Sequence, residues 1–505
     1  LPALAPCRLP APALHAIAYR PPGPKFIRTK DKDRNFKLQR TVPLILAVAL
    51  FMENMDSTVI ATSLPAIARD IETSPIALKL ALTAYLVSLA IFIPISGWMA
   101  DRYGAKTIFR AAIGVFVVGS VACAVSNSLE AFVAARFLQG MGGAMMTPVG
   151  RLVLVRSTPK SELVAAMSWL TVPALVGPLV GPPVGGFITT YLSWHWIFLI
   201  NVPIGILGIL LATRFLPVSD PAITAPLDFR GFVLSGLAAS GVVFGLSVVS
   251  LPSLPPAVGL GAVVLGIVSG LLYFAHARRK ERPLLALDLF RNPVFRASVL
   301  GGGLFRIGIG AVPFLLPLMF QLAFGLTPFE SGMITFVTAI GAIGMKFVTA
   351  WIFRTVGFRR VLIGGSLVAA LSIGVNGFFT PETPSLVMTA VILVGGFIRS
   401  MFFTGVNALA YADIAPEDTS RATPITAVAQ QLCIALGVAL AGGILEVQAS
   451  LNGGALTLSA FHVAFFIVAA VSASACFSFY RLGPDAGSSV SGYRSPSMKA
   501  VQTAS

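Results

Sequence analysis

The sequence predicts an all-α protein that crosses a membrane many times, built as two related six-helix bundles with two further helices inserted between them. Three observations predict it. Of the 505 residues, 56% are hydrophobic and 11% charged, and the mean hydropathy is +0.86. A water-soluble domain has no interior large enough to hide that much apolar surface, so the bilayer is its solvent. The apolar residues also fall into about fourteen continuous runs of spanning length. A barrel would show short alternating segments instead, which leaves helices to satisfy the backbone in lipid. Finally, one charged loop occurs twice.

The first copy of that loop runs from Gly97 to Arg110 and reads Gly-Trp-Met-Ala-Asp-Arg-Tyr-Gly-Ala-Lys-Thr-Ile-Phe-Arg. Gly97 and Gly104 are expected to allow close packing and a tight turn. Asp101 can accept bonds at a helix start, and Arg102, Lys106 and Arg110 favour the cytoplasmic face. The second copy, residues 350–360, carries Trp351, Gly357 and Arg359, each 253 positions after Trp98, Gly104 and Lys106. Arg354 stands where Asp101 would repeat. Paired loops at constant separation mean two homologous halves, the architecture of secondary transporters.

Taken in order, residues 1–24 are rich in Pro, Ala and Leu, and their apolar runs are too broken for a signal peptide. A basic belt from Lys25 to Arg40 follows, suited to anionic lipid at the cytoplasmic face. Spans are expected near 42–67, 77–99, 107–126, 130–155, 162–190, 194–216, 230–250, 256–277, 294–322, 329–353, 359–379, 385–411, 421–447 and 457–480. Five segments result: a disordered basic tail (1–40), an N-terminal six-helix bundle (41–216), two inserted helices (217–282), a C-terminal six-helix bundle (283–481) and a short tail (482–505). The inserted helices carry few polar residues and are expected at the periphery.

Arg102, Lys106, Arg151, Arg156, Lys160, the Arg278–Arg282 cluster, Arg354, Arg359 and Arg360 all fall in loops on one side, whereas the opposite loops hold little beyond Arg69. The positive-inside rule then puts both termini in the cytoplasm. The loop with Asp413, Glu417 and Asp418 against Arg421 departs from this, but acidic residues orient weakly.

The net charge of +16 does not point to nucleic acid, because the basic residues sit in short loops and tails rather than on an aromatic-interleaved face. Cys7, Cys123, Cys433 and Cys476 are scattered and read as packing residues; His195 and His462 are isolated. Neither a metal site nor a cofactor is expected. Trp194 and Trp196 read as interfacial anchors.

Charges inside the spans carry the functional signal, because a carboxylate at bilayer depth costs about 2.5–3.5 kcal/mol on insertion scales. Glu53 and Asp56, three residues apart, share a face of helix 1. Burial and mutual repulsion move such a pair toward proton exchange near neutral pH. Arg306 lies 253 residues after Glu53, so symmetry places both on a central cavity. Arg136 and Gln139, one turn apart on helix 4, and Arg399 on helix 12 complete the candidate cavity set; Lys346 on helix 10 is read as reaching toward the cytoplasm. On helix 5, Gly177, Gly181 and Gly185 recur every four residues as a smooth stripe, with Pro178, Pro182 and Gly186 between them. A packing role is favoured, and a bent, close-packed helix at the interface of the halves suits a gate.

These elements together resemble the fourteen-helix drug:proton antiporters of the major facilitator superfamily. The resemblance is carried by Met55 to Pro65, the Gly97–Arg110 loop, Arg136 to Pro148, Gly177 to Gly186, and Trp194 to Pro203, and it covers most of residues 41–480. It implies that Asp56 couples to protons, Arg136 serves a proton or substrate relay, Asp101 the cytoplasmic gate, and the helix 5 motif the outer seal. Glu53 adds an acid, so the proton load would be shared. Helices 9–14 offer no mid-depth carboxylate, since Glu330 and Glu446 fall near outer ends.

The expected protein is therefore a proton-coupled antiporter in a bacterial inner membrane that exports small organic molecules, as in multidrug efflux, by alternating access. An anionic or zwitterionic metabolite, or a metal–carboxylate chelate, is the alternative, because the arginines outnumber the acids. Its partners are the substrate, protons and the lipid bilayer; a periplasmic adaptor is left open. A channel would need a symmetric ring of charges or carbonyls, and a membrane enzyme a cluster of reactive side chains. Neither is in the sequence. A non-transporting receptor ranks below both exporter readings.

Overall fold

The computed structural model describes residues 29–158, 163–217, 226–249, 251, 254–415 and 418–493. Expectations for residues 1–28, Lys160, Glu417 and 494–505 lie outside this set. The spanning helices are α1 (Thr29–Asp70), α2 (Lys79–Tyr103), α3 (Ala105–Ala124), α4 (Leu129–Ser157), α5 (Leu163–Tyr191) and α6 (Trp196–Phe215). After them come α7 (Phe229–Val249) and α8 (Pro256–Arg279). The second half holds α9 (Pro293–Leu318), α10 (Pro328–Val356), α11 (Phe358–Val375), α12 (Ser385–Ala410), α13 (Thr419–Leu451) and α14 (Leu458–Tyr480). Among the described residues, 12 helices are both long and apolar enough to cross a membrane. The 29-residue α4 matches them in length, its apolarity diluted by Arg136, Gln139 and its glycines.

Local chemistry explains the helix ends. Ser128 caps α4 by accepting from Ala131, and Asn292 caps α9 by accepting from Val294 and Phe295. Thr327 and Glu330 form a capping box on α10. That accounts for Glu330, which sits at the helix end as expected. Gly104 and Gly357, the paired loop glycines, hold φ of 87° and 84°, a region closed to most side chains. The repeat seen in the letters is thus a repeat of backbone geometry.

One expectation is corrected here. The segment 29–40, read as disordered, is helical and continuous with α1. The described part of the C-terminal tail packs back on the bundle: Gly357 lies against the Tyr493 ring, Gly487 against Phe358, and Ser489 donates to the Ala412 carbonyl at 3.0 Å.

The inserted helices line no part of the central cavity, yet they are more than peripheral. Val243 on α7 packs with Val87 on α2 and Ala435 on α13, so α7 covers the seam between the halves. At the ends of this pair, Asp228 meets His276 at 2.8 Å and accepts from the Gly231 and Leu284 amides. Burial pushes the Asp228 carboxyl upward, but these bonds outweigh it and hold it below the usual carboxylate range. The linker into the second half is fastened there.

Candidate functional site

The two halves meet at one end of the molecule, where α1, α5 and α13 finish and α2 and α10 begin. Gly186 lies so close to the Pro328 carbonyl that an added Cβ would come within 2.5 Å of it. Phe329 donates its amide to Thr190 at 3.1 Å and packs edge-on to Phe187 and Tyr191. Gln321 donates to the Thr62 carbonyl at 2.9 Å. Beside these, Lys79 of α2 donates to Glu446 of α13 in an ion pair buried at 0% and 6% side-chain exposure.

A cavity of about 460 Å³ lies between the halves behind this closure. α1 contributes Glu53, Asn54, Ser57 and Thr58, one face of the helix. α4 contributes Arg136, α5 Pro178 and Pro182, α12 Arg399 and α13 Gln431. Most of the remaining wall is apolar, from leucines of α2 and from the Ile309–Pro317 stretch of α9.

Asp56 turns away from that space. It is 2% exposed and holds three donors: Arg136 Nη1 to Oδ2 at 2.8 Å, and Gln139 Nε2 and Asn201 Nδ2 to Oδ1, each at 2.8 Å. Gln139 also donates to Ser120 at 2.7 Å and accepts from Arg136. The Arg136 guanidinium lies 4.3 Å from the centre of the Tyr85 ring. The result is a buried polar node joining α1, α3, α4 and α6. Glu53 belongs to another environment, accepting from Thr147 at 2.7 Å while facing the cavity. One acid is locked and the other is presented.

Several candidates are therefore relocated. Gln139 serves Asp56 and not the cavity wall. Arg306 is off the cavity as well: it donates to Asn407 at 2.6 Å, lies 5.5 Å from the Phe403 ring, and is buried between α9 and α12. Its helix reaches the cavity only from Ile309 onward. Lys346 is exposed and is not on the cavity wall, in keeping with its reading as a snorkelling side chain.

The glycine stripe packs as its spacing predicts, but against α1 in the same half. A Cβ at Gly177 would meet the Phe51 carbonyl at 3.0 Å, and one at Gly185 the Val59 carbonyl at 2.5 Å; Gly181 lies over Thr58. Gly186 reaches the other half at Pro328, and Pro182 does so at Gly332, whose added Cβ would come within 2.4 Å of the Pro182 carbonyl. In the loop motif, Asp101 pairs with Arg156 of α4 at 2.6 Å, and Lys106 donates to the Leu216 carbonyl at 2.8 Å. Arg102 is exposed, and a Cβ at Gly97 would meet nothing within 4 Å, so close packing is not its role here. Trp194 is buried, donating to Asp70 at 3.0 Å, while Trp196 stays exposed as an anchor would.

Lys79, Asn201, Thr147 and Gln431 were not singled out by the sequence. Asn201 and Lys79 do carry a signal, a polar group inside or at the mouth of an apolar run.

A two-half helical bundle enclosing a cavity at its seam is the architecture of secondary transporters. The sequence profile of the Major Facilitator Superfamily matches residues 46–438 and 298–499, and the chain belongs to that superfamily. It is 35% identical over 445 residues to a protein of Pectobacterium atrosepticum named "Putative multidrug resistance protein MdtD", covering 87% of this chain and 95% of the relative. The protein of the same name from Cronobacter sakazakii is 38% identical over 408 residues, with 79% and 85% covered. Among solved structures, a D-xylose-proton symporter superposes with a TM-score of 0.62 at 13% identity, covering 90% and 99% of the two chains. The nucleoside transporter NupG does so at 0.60 and 15%, covering 88% and 100%. These share the fold.

Proposed function

We propose that this multi-pass membrane transporter exports small organic molecules of several kinds, drugs among them, in exchange for protons. The reading places it in a bacterial inner membrane with both termini in the cytoplasm and needs no cofactor beyond the proton gradient. The observation that carries it is the division of labour between two acids one helical turn apart. Glu53 faces a drug-sized cavity, while Asp56 is fixed beside it by Arg136, Gln139 and Asn201. The relatives' name supports multidrug efflux.

In this reading Glu53 takes up a proton from one side and surrenders it when substrate occupies the cavity. Asp56 holds Arg136 in place, and protonating Asp56 would free that guanidinium to reorganise α4 against α1. The tight end, with Gly186, Phe329 and the Lys79–Glu446 pair, is the outer gate; the end with Asp101 and Arg156 faces the cytoplasm. Reconstituted vesicles with an imposed proton gradient provide the test. Wild type should accumulate substrate against its gradient, and the Glu53→Gln, Asp56→Asn double variant should lose that accumulation. Undiminished accumulation would refute proton coupling.

The alternative of an anionic substrate loses much of its charge argument, since Arg306 and Lys346 do not line the cavity. What remains of it rests on Arg399.

A further inference from the structure

We propose that the central cavity selects amphipathic zwitterions, molecules with an ammonium group and a carboxylate on one apolar body. This rests on the proton-exchange reading above and names its substrate class.

The charges of the cavity wall are unevenly answered. Arg136 is neutralised by Asp56 at 2.8 Å. Arg399, on the opposite half, has only neutral acceptors: its Nε donates to the Gly395 carbonyl of its own helix at 3.1 Å, and its Nη2 approaches Thr338 at 3.5 Å. Among the described residues no acid forms an ion pair with it. Glu53, on the first half, accepts from Thr147, and among the described residues no cation forms an ion pair with it, although Arg151 of α4 and Asp56 act on it through space. Leu82, Leu86, Leu89, Phe314, Pro313 and Pro317 supply an apolar wall beside them.

A half-buried guanidinium on a largely apolar cavity wall, without a counter-charge, favours an anionic partner, and a carboxylate answers it with two parallel hydrogen bonds. Proton exchange adds a second requirement. A pure anion at Arg399 would strengthen proton binding at Glu53 on the wall of the same cavity, so the two would bind together and not in exchange. A pure cation would displace the proton from Glu53 but be repelled by Arg399. A zwitterion satisfies both groups: its ammonium competes with the proton at Glu53 and its carboxylate neutralises Arg399. Coupling by competition follows from that occupancy.

The test uses the full-length protein in lipid nanodiscs and three matched probes: aminomethyl-biphenyl-carboxylic acid, its methyl ester (a cation) and its N-acetyl derivative (an anion). Wild type should bind the zwitterion about tenfold more tightly than either relative, with a proton released on binding. Arg399→Gln should bring the zwitterion-to-ester affinity ratio close to one, and Arg399→Lys should keep it above one. Each ratio is read within a single protein preparation, so general loss of folding cannot imitate the result, and the wild-type ranking decides alone if the variant does not fold. An ester bound as tightly as the zwitterion in wild type, or an unchanged ratio in Arg399→Gln, overturns the proposal. If the ester binds best and still releases a proton, the exchange reading stands and the zwitterion class falls. If no probe releases a proton from wild type, the exchange reading falls with it.

Discussion

Asp56 shows at the scale of one residue how a charge survives in a membrane interior. Its two oxygens meet an arginine, a glutamine and an asparagine, drawn from α4 and α6. Removing one partner of such a buried pair leaves the other charge uncompensated, at a cost of about 3–5 kcal/mol. Asp56→Asn should therefore lower the unfolding temperature in detergent markedly, while Asp56→Leu combined with Arg136→Met should recover much of the loss. A single variant as stable as wild type would mean that the pair contributes little. The participants were only partly legible in the sequence. Asp56, Arg136 and Gln139 stand out because polar side chains within apolar runs need a reason. Asn201 follows Trp194-His195-Trp196 at what reads as the membrane edge, so its burial is set by how α6 docks on α1 and α3. Arg306 misleads for a related reason. Its position is symmetric with Glu53, but its long side chain turns into its own half, toward Asn407 and Phe403.

Single elements were the most legible part of the molecule. Span positions follow from bilayer length, and the paired glycines at 104 and 357 announce the internal repeat. The four-residue glycine spacing on α5 correctly predicts a close helix contact but cannot name the partner, which is α1. The Lys79–Glu446 pair is the opposite case. Its members lie 367 residues apart, and no periodicity links them until α2 and α13 dock. Both sit where the halves close, so the pair is expected to latch that end. Glu446→Gln should strand Lys79 and weaken closure, and Lys79→Met with Glu446→Leu should restore it, because an apolar pair can replace a buried ion pair without loss. Disulfide trapping between cysteines placed at Thr190 and Phe329, which meet across the seam at 3.1 Å, would report closure. Equal trapping in the single and double variants would contradict a latch.

At the scale of the whole molecule, the halves touch tightly at one end and enclose a cavity behind it. The glycine-to-backbone approaches of Gly186 and Gly332 at this end are tight enough that closure is well defined rather than graded. α7 spans the outside of the seam between α2 and α13, so that side is expected to stay covered toward lipid while the halves rock in the proposed cycle. The central claim is that such rocking exposes the same cavity to each side in turn. Spin-label distances measured in one preparation test it most directly, between Ser74 and Leu451 at the closed end and between Thr107 and Thr355 at the other. Alternating access predicts that changing pH or adding substrate lengthens one distance as it shortens the other, with both populations visible in the wild type. Two distances that stay fixed, or that grow and shrink together, would contradict it.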